Sequence, residues 1–417
     1  CAPRELAPTK DIVRLARDYG QARAPFLRVG FALTRHENGG MAMRSIACLP
    51  GLVGAFRKPG GGAHHDSGPC FELNYDRVTG KDQFQPATRE INMVKLGEVL
   101  LEEKDPLVQA LYVYNCNPAA IAPDQARVHA GLRRDDLFTV VHEQVHNDTV
   151  DFADIVLPAP TFLEYLDLYK SYGHHYLQIG KPVIAALGEA KPNLEVFQLL
   201  ARRMGFDDPC FSLSEFQIMQ EAFDSPSPFV AGIDFEKLKA GATLRLNVPE
   251  DGVGSDAQFS TPSGKIEFYS QAMAELGFDP LPSYSACTES PENHALHSRF
   301  PLQMVVPPSV HFLNSTFGAV AEQRERMGQP AVKIHPEDAR ARGIASGDAV
   351  RVFNDRGECQ LSADVTEDMR QGVVAADSIW WAKHSPGGRG INTLVSNRLT
   401  DLGGGSTFHC NLVEVSK

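Results

Sequence analysis

At 417 residues with 43% hydrophobic content, the chain is long enough for about two to four domains with sizeable cores. Lys and Arg number 40 against 52 Asp and Glu, a net charge of -12. That balance disfavours a nucleic-acid partner, because such binding runs on cationic side chains displacing counterions. No apolar run approaches the roughly 20 residues that a membrane helix needs.

In chain order, residues 9–20 read as a capped amphipathic helix ended by Gly20. Residues 26–33 read as a short apolar strand, and a helical pattern then runs over 40–56. It stops at Lys58-Pro-Gly-Gly-Gly62, where glycines permit turns closed to other residues. Residues 63–90 are polar and loop-like. From Leu107 the rhythm becomes strand (110–114), turn (115–118), helix (121–133) and strand (137–142), with a third strand at 154–157. This is a parallel α/β unit, whose ligand edge lies at the carboxyl ends of its strands. Residues 193–204 form another helix, 207–260 a weakly patterned insertion, and the Pro- and Ser-rich stretch 280–300 a boundary. The last segment is mostly short strands, clearest at 302–306, 350–354, 359–365 and 373–376, with one helix over 335–343 opened by Pro336. Many short strands with few helices point to a closed barrel. The fold class is therefore α/β, with an α/β region over 1–290 (1–60 belonging in part to a preceding domain) and a barrel over 301–417.

The eight cysteines, at 1, 48, 70, 116, 210, 287, 359 and 410, contain no Cys-x-x-Cys pair. Their spacing matches neither a zinc site nor a cluster-binding run, so no metal ligand and no iron–sulfur cluster is assigned to this chain. They read as small buried hydrophobes in a reducing compartment, Cys116 excepted because it sits in a loop motif. The default location is the cytoplasm, with the periplasm left open because the sequence starts without Met.

Several motifs sit where chemistry would. Asn115-Cys-Asn-Pro118, between a strand and a helix, would turn backbone N–H groups and a helix start towards an anion; the bland alternative is an Asn-Pro turn. Glu143, at the exit of the next strand, suits ribose hydroxyls. His142 and His146, four apart, are read as surface histidines rather than a zinc pair, since this is a strand exit. Glu164 and Asp167 each offer a carboxylate of the kind that pairs with a guanine edge, or else are solvated loop acids. His311, Asn314, Ser315 and Thr316 crowd short polar side chains into one loop, a mixture suited to a pterin edge and to phosphate. Trp380 and Trp381 read as core aromatics.

Taken together and in order, Arg35-His-Glu-Asn-Gly-Gly40, Asn115-Cys-Asn-Pro118, Ala153-Asp-Ile-Val-Leu-Pro158, Thr261-Pro-Ser-Gly-Lys-Ile-Glu267, Val310-His-Phe-Leu-Asn-Ser-Thr-Phe-Gly318, Ala331-Val-Lys-Ile-His-Pro-Glu-Asp-Ala339, Gly387-Gly-Arg-Gly-Ile-Asn-Thr-Leu394 and Thr400-Asp-Leu-Gly-Gly-Gly-Ser-Thr-Phe-His409 resemble the molybdopterin oxidoreductases, the dimethyl sulfoxide reductase family. The resemblance covers nearly the whole chain, without the family's amino-terminal cluster domain. It implies that the barrel is of the double-psi type. It also implies molybdopterin guanine dinucleotide (two per full enzyme) with molybdenum or tungsten, and any iron–sulfur cluster only in the missing part. On this reading Arg35 neutralises phosphate, His36 and Asn38 lie against the same ligand, and Asn115, Asn117, Pro118 and Glu143 line the nucleotide. His311, Asn314, Ser315 and Thr316 face pterin and phosphate, and Asn392, Phe408 and His409 close the other side. Where many relatives carry Lys or Arg, His409 makes the charge pH-dependent. The implied activity is two-electron oxygen-atom or hydride transfer on a small substrate, with an electron-transfer partner protein. The alternatives are a cofactor-free structural subunit or a redox-neutral molybdenum or tungsten hydratase or transhydroxylase. The metal-ligand residue and the cluster cysteines belong to the missing part, so the isolated chain is expected to be inactive and free of iron.

Overall fold

The computed structural model describes residues 8–81, 88–250, 259–377 and 379–417. Cys1 and positions 251–258 of the expected insertion lie outside them. Three parallel strands, β3 (Ala110–Tyr114), β4 (Phe138–Glu143) and β5 (Ile155–Pro158), form the α/β sheet in that order, with Tyr114 opposite His142 and Glu143 opposite Pro158. Short parallel strands need covering helices, and Val128 and Leu132 pack with Leu100 and Ala119 beneath this sheet. The expected helix over 121–133 is in fact two, Pro118–Ile121 and Gln125–Leu132. Pro123 forces Ala122 out of the helical region (ψ 142°), and Asp124 then takes a left-handed conformation at φ 53°.

The carboxy-terminal part is a closed six-stranded barrel. Its strands are β9 (Leu302–Val305), β10 (Ala331–Ile334), β11 (Ala349–Asn354), β12 (Gly357–Val365), β13 (Val373–Ala376) and β14 (Asn411–Ser416). Alternate residues point inward, so Val350, Val352, Cys359, Leu361, Ala363, Val413 and Val415 share one core. Closure leaves no strand edge unpaired. β10 and β14 are strands additional to the four that are clearest in the sequence.

Two expectations change near the amino end. The strand over 26–33 is only β1 (Phe26–Arg28), and 33–35 is a 3-10 turn. The polar stretch after Gly62 is not all loop: β2 (Gly62–His64) pairs in parallel with β1, and Tyr75–Thr79 is helical. The insertion holds helices Glu215–Ala222 and Phe235–Ala240, and it completes an antiparallel sheet of β6 (Asp167–Tyr169), β7 (Tyr176–Gly180) and β8 (Leu244–Arg245). Phe71, Leu177, Met219, Leu238 and Leu246 make it a separate core. These residues lie far apart in the chain, so no local period reports them.

Candidate functional site

The carboxyl ends of β3 and β4 are neighbours, so the turn after Tyr114 and the Glu143 carboxylate share one sheet edge. Asn115 is exposed at φ 54°, a left-handed conformation that asparagine tolerates better than most residues. Asn117 is buried, and its Oδ1 accepts from the Thr149 hydroxyl (2.7 Å) and the Thr149 amide (3.2 Å). Asn147 links these to Glu143, donating to its Oε2 at 2.8 Å and accepting from the Thr149 amide at 2.9 Å. Desolvation pushes the Glu143 carboxyl above its ordinary range, against hydrogen bonds from the Gln144 amide and Asn147. The expected anion cradle is altered. Pro118 has no N–H, the Ala119 amide donates to Thr149 Oγ1 (3.1 Å), and those of Ala120 and Ile121 return to the Asn117 carbonyl. This short helix spends its first amides inside the protein. Asn147 and Thr149 fall in the segment from Glu143 to Thr149 that the family resemblance places at the guanosine end of the cofactor, and the polar run Asn147-Asp-Thr149 is buried.

The barrel grips this edge. Asn392, buried, donates its Nδ2 to the carbonyls of Ala120 (3.2 Å) and Ile121 (2.9 Å), so it clamps the short helix. Gln125 accepts from the Gly390 amide (2.8 Å) and Thr393 (3.1 Å), and Asp148 accepts from the amides of Ala382 and Lys383. Asn117 Nδ2 and Asn392 Oδ1 are buried without a hydrogen-bond partner among the described residues.

The polar loop follows from the same junction. Ile379 and Trp381 pack on Ala120, and the Trp381 indole N–H donates to the Ser315 carbonyl at 2.9 Å. Trp380 meets Phe312 edge-on at 5.2 Å, so both tryptophans are core aromatics, as expected. Paired amides of Leu313 and Thr316 close a tight turn with Asn314 at φ 53°. Asn314 and Thr316 are exposed, and their side chains make no hydrogen bond among the described residues. His311 is half-buried, and its amide donates to Ser309 Oγ. A Cβ on Gly318 would sit 2.7 Å from Trp381 Nε1. Gly318→Val is therefore expected to push the indole off Ser315 and cost about 1–3 kcal/mol. An unchanged urea midpoint would show that the loop yields freely.

Arg35 lies over the Phe408 ring at 5.9 Å and makes no ion pair among the described residues. His409 donates its amide to the Arg35 carbonyl, and its Nδ1 accepts from the Val306 amide at 3.3 Å. Desolvation, then the charges of His36 and Arg35, hold the His409 ring down at about 4. It is neutral at pH 7 in the absence of a ligand, which revises the pH-dependent charge expected there. Asn38 donates to the Ser285 carbonyl (2.6 Å), and Asp401 accepts from the amides of Gly40 and Met41 at the start of helix Gly39–Leu52. His36 Nδ1 lies 3.3 Å from Cys410 Sγ.

Of the two candidate guanine acids, Glu164 has both oxygens engaged, by Thr161 and by the Leu187 amide (2.8 Å). Asp167 is half-buried, has no ion pair among the described residues, and is raised by desolvation. His142 proves to be core rather than surface, with Nε2 at 3.0 Å from the Lys191 carbonyl, whereas His146 is exposed beside Asp151.

A cavity of about 790 Å³ lies beside these residues. His129, Arg133, Arg134, Asp135, Asp154 and Lys383 help line it, at the starts of β4 and β5, and no residue expected to bind the ligand does. It is a groove between the sheet and the barrel, and it reaches Asp148 and Ala382, where the two dock. His129 there is pushed below the ordinary histidine value of 6.5, mainly by desolvation. The unfolded chain then binds more protons than the folded one below that value. The stability His129 contributes is complete above pH 6.5 and is lost as pH falls through and below it. His129→Gln should flatten the pH dependence of the urea midpoint below pH 6.5; an unchanged slope would assign it to other groups.

Residues 302–412 match the molydopterin dinucleotide binding domain, and residues 15–203 match the molybdopterin oxidoreductase domain. Fold and site thus define a module that binds a molybdopterin dinucleotide. The chain belongs to the molybdopterin oxidoreductase family, which includes dimethyl sulfoxide reductases. It is 40% identical over 412 residues to "Probable oxidoreductase YoaE" of Bacillus subtilis, covering 98% of this chain and 59% of that protein. With dimethyl sulfoxide reductase DmsA of Escherichia coli it shares 29% over 460 residues, covering 98% of this chain and 55% of that one. The chain therefore spans less than two thirds of the curated relatives it matches. Acetylene hydratase from Pelobacter acetylenicus has the same fold, with a TM-score of 0.66 at 22% identity over 84% of this chain and 50% of that one. The cofactor these domains imply is molybdopterin guanine dinucleotide with molybdenum. The donor set fits it: among the described residues Arg35 makes no ion pair, the Thr316 hydroxyl and Asn314 carboxamide make no hydrogen bond, and Asp167 accepts only from the Leu168 amide through Oδ1, which leaves Oδ2 for a ligand. No helix among the described residues is long and apolar enough to cross a membrane.

Proposed function

We propose that the full-length protein is a molybdenum oxidoreductase moving two electrons, with an oxygen atom or a hydride and proton, to or from a small substrate. The observation that carries this is that packing and hydrogen bonds join the β3–β4 edge, through the helix Pro118–Ile121 and Trp381, to the polar Asn314–Thr316 turn, with His409 and Arg35 joined to each other and to the end of β9. When bound, the molybdenum dinucleotide supplies the redox chemistry, while the protein binds and orients it.

On this reading Arg35 neutralises phosphate, and Asn314 and Thr316 donate to phosphate or pterin oxygens. Ser315 sets their turn through its carbonyl. His311, Phe408 and neutral His409 pack along the same ligand, with Asn38 and His36 behind Arg35. Glu143 accepts from ribose hydroxyls beside Asn115, while Asn117 and Pro118 shape the turn and Asn392 holds it to the barrel. Asp167, rather than the locally engaged Glu164, receives the guanine edge. An electron-transfer partner protein completes the cycle.

Metal analysis with a dye-linked acceptor assay tests the proposal. Molybdenum or tungsten should co-purify with the full-length protein, and candidate substrates should be screened for acceptor reduction or for oxidation of a reduced dye. Stoichiometric metal with turnover that needs no electron acceptor or donor would mark a redox-neutral enzyme instead. A metal-free protein would mark a structural subunit.

A further inference from the structure

Three side chains from distant parts of the sequence meet behind Arg35: His36 in the loop before helix Gly39–Leu52, Cys287 in the segment leading to the barrel, and Cys410 at the start of β14. Their Nδ1 or Nε2 and Sγ atoms all lie within 4.8 Å of one another, with Sγ to Sγ at 3.1 Å and Cys410 Sγ to His36 Nδ1 at 3.3 Å. Cys410 is buried and Cys287 partly exposed. The backbone supports electron-rich sulfur. The Glu37 amide points at Cys410 Sγ (3.3 Å), and the Asn38 amide donates to Cys287. Such N–H···S bonds strengthen as the sulfur becomes anionic. A second layer holds the loop in place: Glu37 receives the Thr288 amide (2.6 Å) and hydroxyl (2.7 Å), and Asn38 donates to the Ser285 carbonyl (2.6 Å). The ligating residues are thus fixed by their neighbours, as first ligands of metal sites are.

We propose that His36, Cys287 and Cys410 bind one thiophilic cation of the zinc(II) class through two thiolate sulfurs and one imidazole nitrogen. Zinc–sulfur bonds of about 2.3 Å and zinc–nitrogen bonds of about 2.0–2.1 Å in a tetrahedron put S···S at about 3.8 Å and S···N at about 3.6 Å. The observed separations reach these by outward movements of a few tenths of an ångström. Two thiolates neutralise a divalent ion, so the buried site carries no net charge, and the two thiol protons leave to solvent on binding. The fourth position, beside the exposed face of Cys287, takes water or a small ligand. The ion ties the loop at 36–38 to the 285–288 segment and to β14, and so braces Arg35 and His409, which lie next to its ligands in the chain. His36 then serves the ion rather than the dinucleotide. Spacing concealed the site, because its ligands lie on three separate segments rather than in one short motif.

The test uses the full-length protein, reduced, dialysed against a chelator, then given one equivalent of zinc and desalted. About one zinc per chain should remain by mass spectrometry, and two thiols should become protected from a thiol reagent. Cys287→Ser, partly exposed and so tolerant of change, should bind zinc at least tenfold more weakly, while in the zinc-free state its melting stays as in the zinc-free wild type. His36→Asn should weaken zinc binding in the same way. Equal zinc in the wild type and both variants overturns the proposal. So does a zinc-free wild type in which Cys287 and Cys410 are recovered as a disulfide-linked peptide, which would make the pair a redox switch. Zinc retained by a protein that lacks molybdenum would leave this site standing and sink the proposed function instead.

Discussion

Replacing Asn314 and Thr316 together by alanine is expected to empty the full-length protein of most of its molybdenum while leaving the substrate preference of the residual enzyme unchanged. Both side chains stand exposed on a turn held by the Leu313–Thr316 pairing and by Trp381, so the turn should persist although alanine at φ 53° strains position 314 by about 1–2 kcal/mol. Each is proposed to donate to a charged or strongly polar ligand, an interaction worth about 1–3 kcal/mol where charge is involved. Losing both should weaken binding by about thirtyfold or more, since 1.4 kcal/mol is tenfold in affinity. Molybdenum per chain and the kcat and KM of the loaded fraction separate the outcomes. Full molybdenum with only KM altered would place these residues in the substrate funnel.

Glu289→Ala should produce the largest loss of stability. Glu289 is 3% exposed and sits in the stretch expected to be a mere boundary. Arg356 holds it through two bonds at 2.6 and 3.0 Å, Arg398 adds one at 3.0 Å, and the Leu412 amide of β14 donates to Oε2 at 3.0 Å. Removing one member of a buried ion pair leaves the other uncompensated, at a cost of about 3–5 kcal/mol. Arg398 is 45% exposed and will recover water, so the loss comes mainly from Arg356 and the orphaned amide. The urea midpoint should fall with little change in slope, and Glu289→Gln, which can still accept from Leu412, should lose less. Equal midpoints for wild type and Glu289→Ala would show that the cluster contributes no net stability.

Much of the fold was legible because its signals are local. The strand, turn and strand around Asn115 and Glu143, the alternating strands of the barrel, and the break that Pro336 starts as a helix all follow from periods and dihedral limits within a few residues. The ordered motifs carried the family. Other features depended on partners far away in the chain. The core around Phe71, Leu177 and Leu246 joins three remote segments, so hydrophobic periodicity did not reveal it. Glu164 and Asp167 are acids in one short stretch, but only the fold engages both oxygens of the first and leaves one oxygen of the second without a hydrogen bond among the described residues. His142 and His146 differ by a side of one strand exit, so one is core and the other solvent. Asn392 was legible as a polar residue in a motif, but its clamp on the Ala120 and Ile121 carbonyls required the two domains to be docked. The sequence by itself determined residue chemistry and local geometry. Only the tertiary structure decided which donors remain free, because hydrogen bonds and ion pairs are settled by neighbours in space, and a group already satisfied by the protein has little left for a ligand.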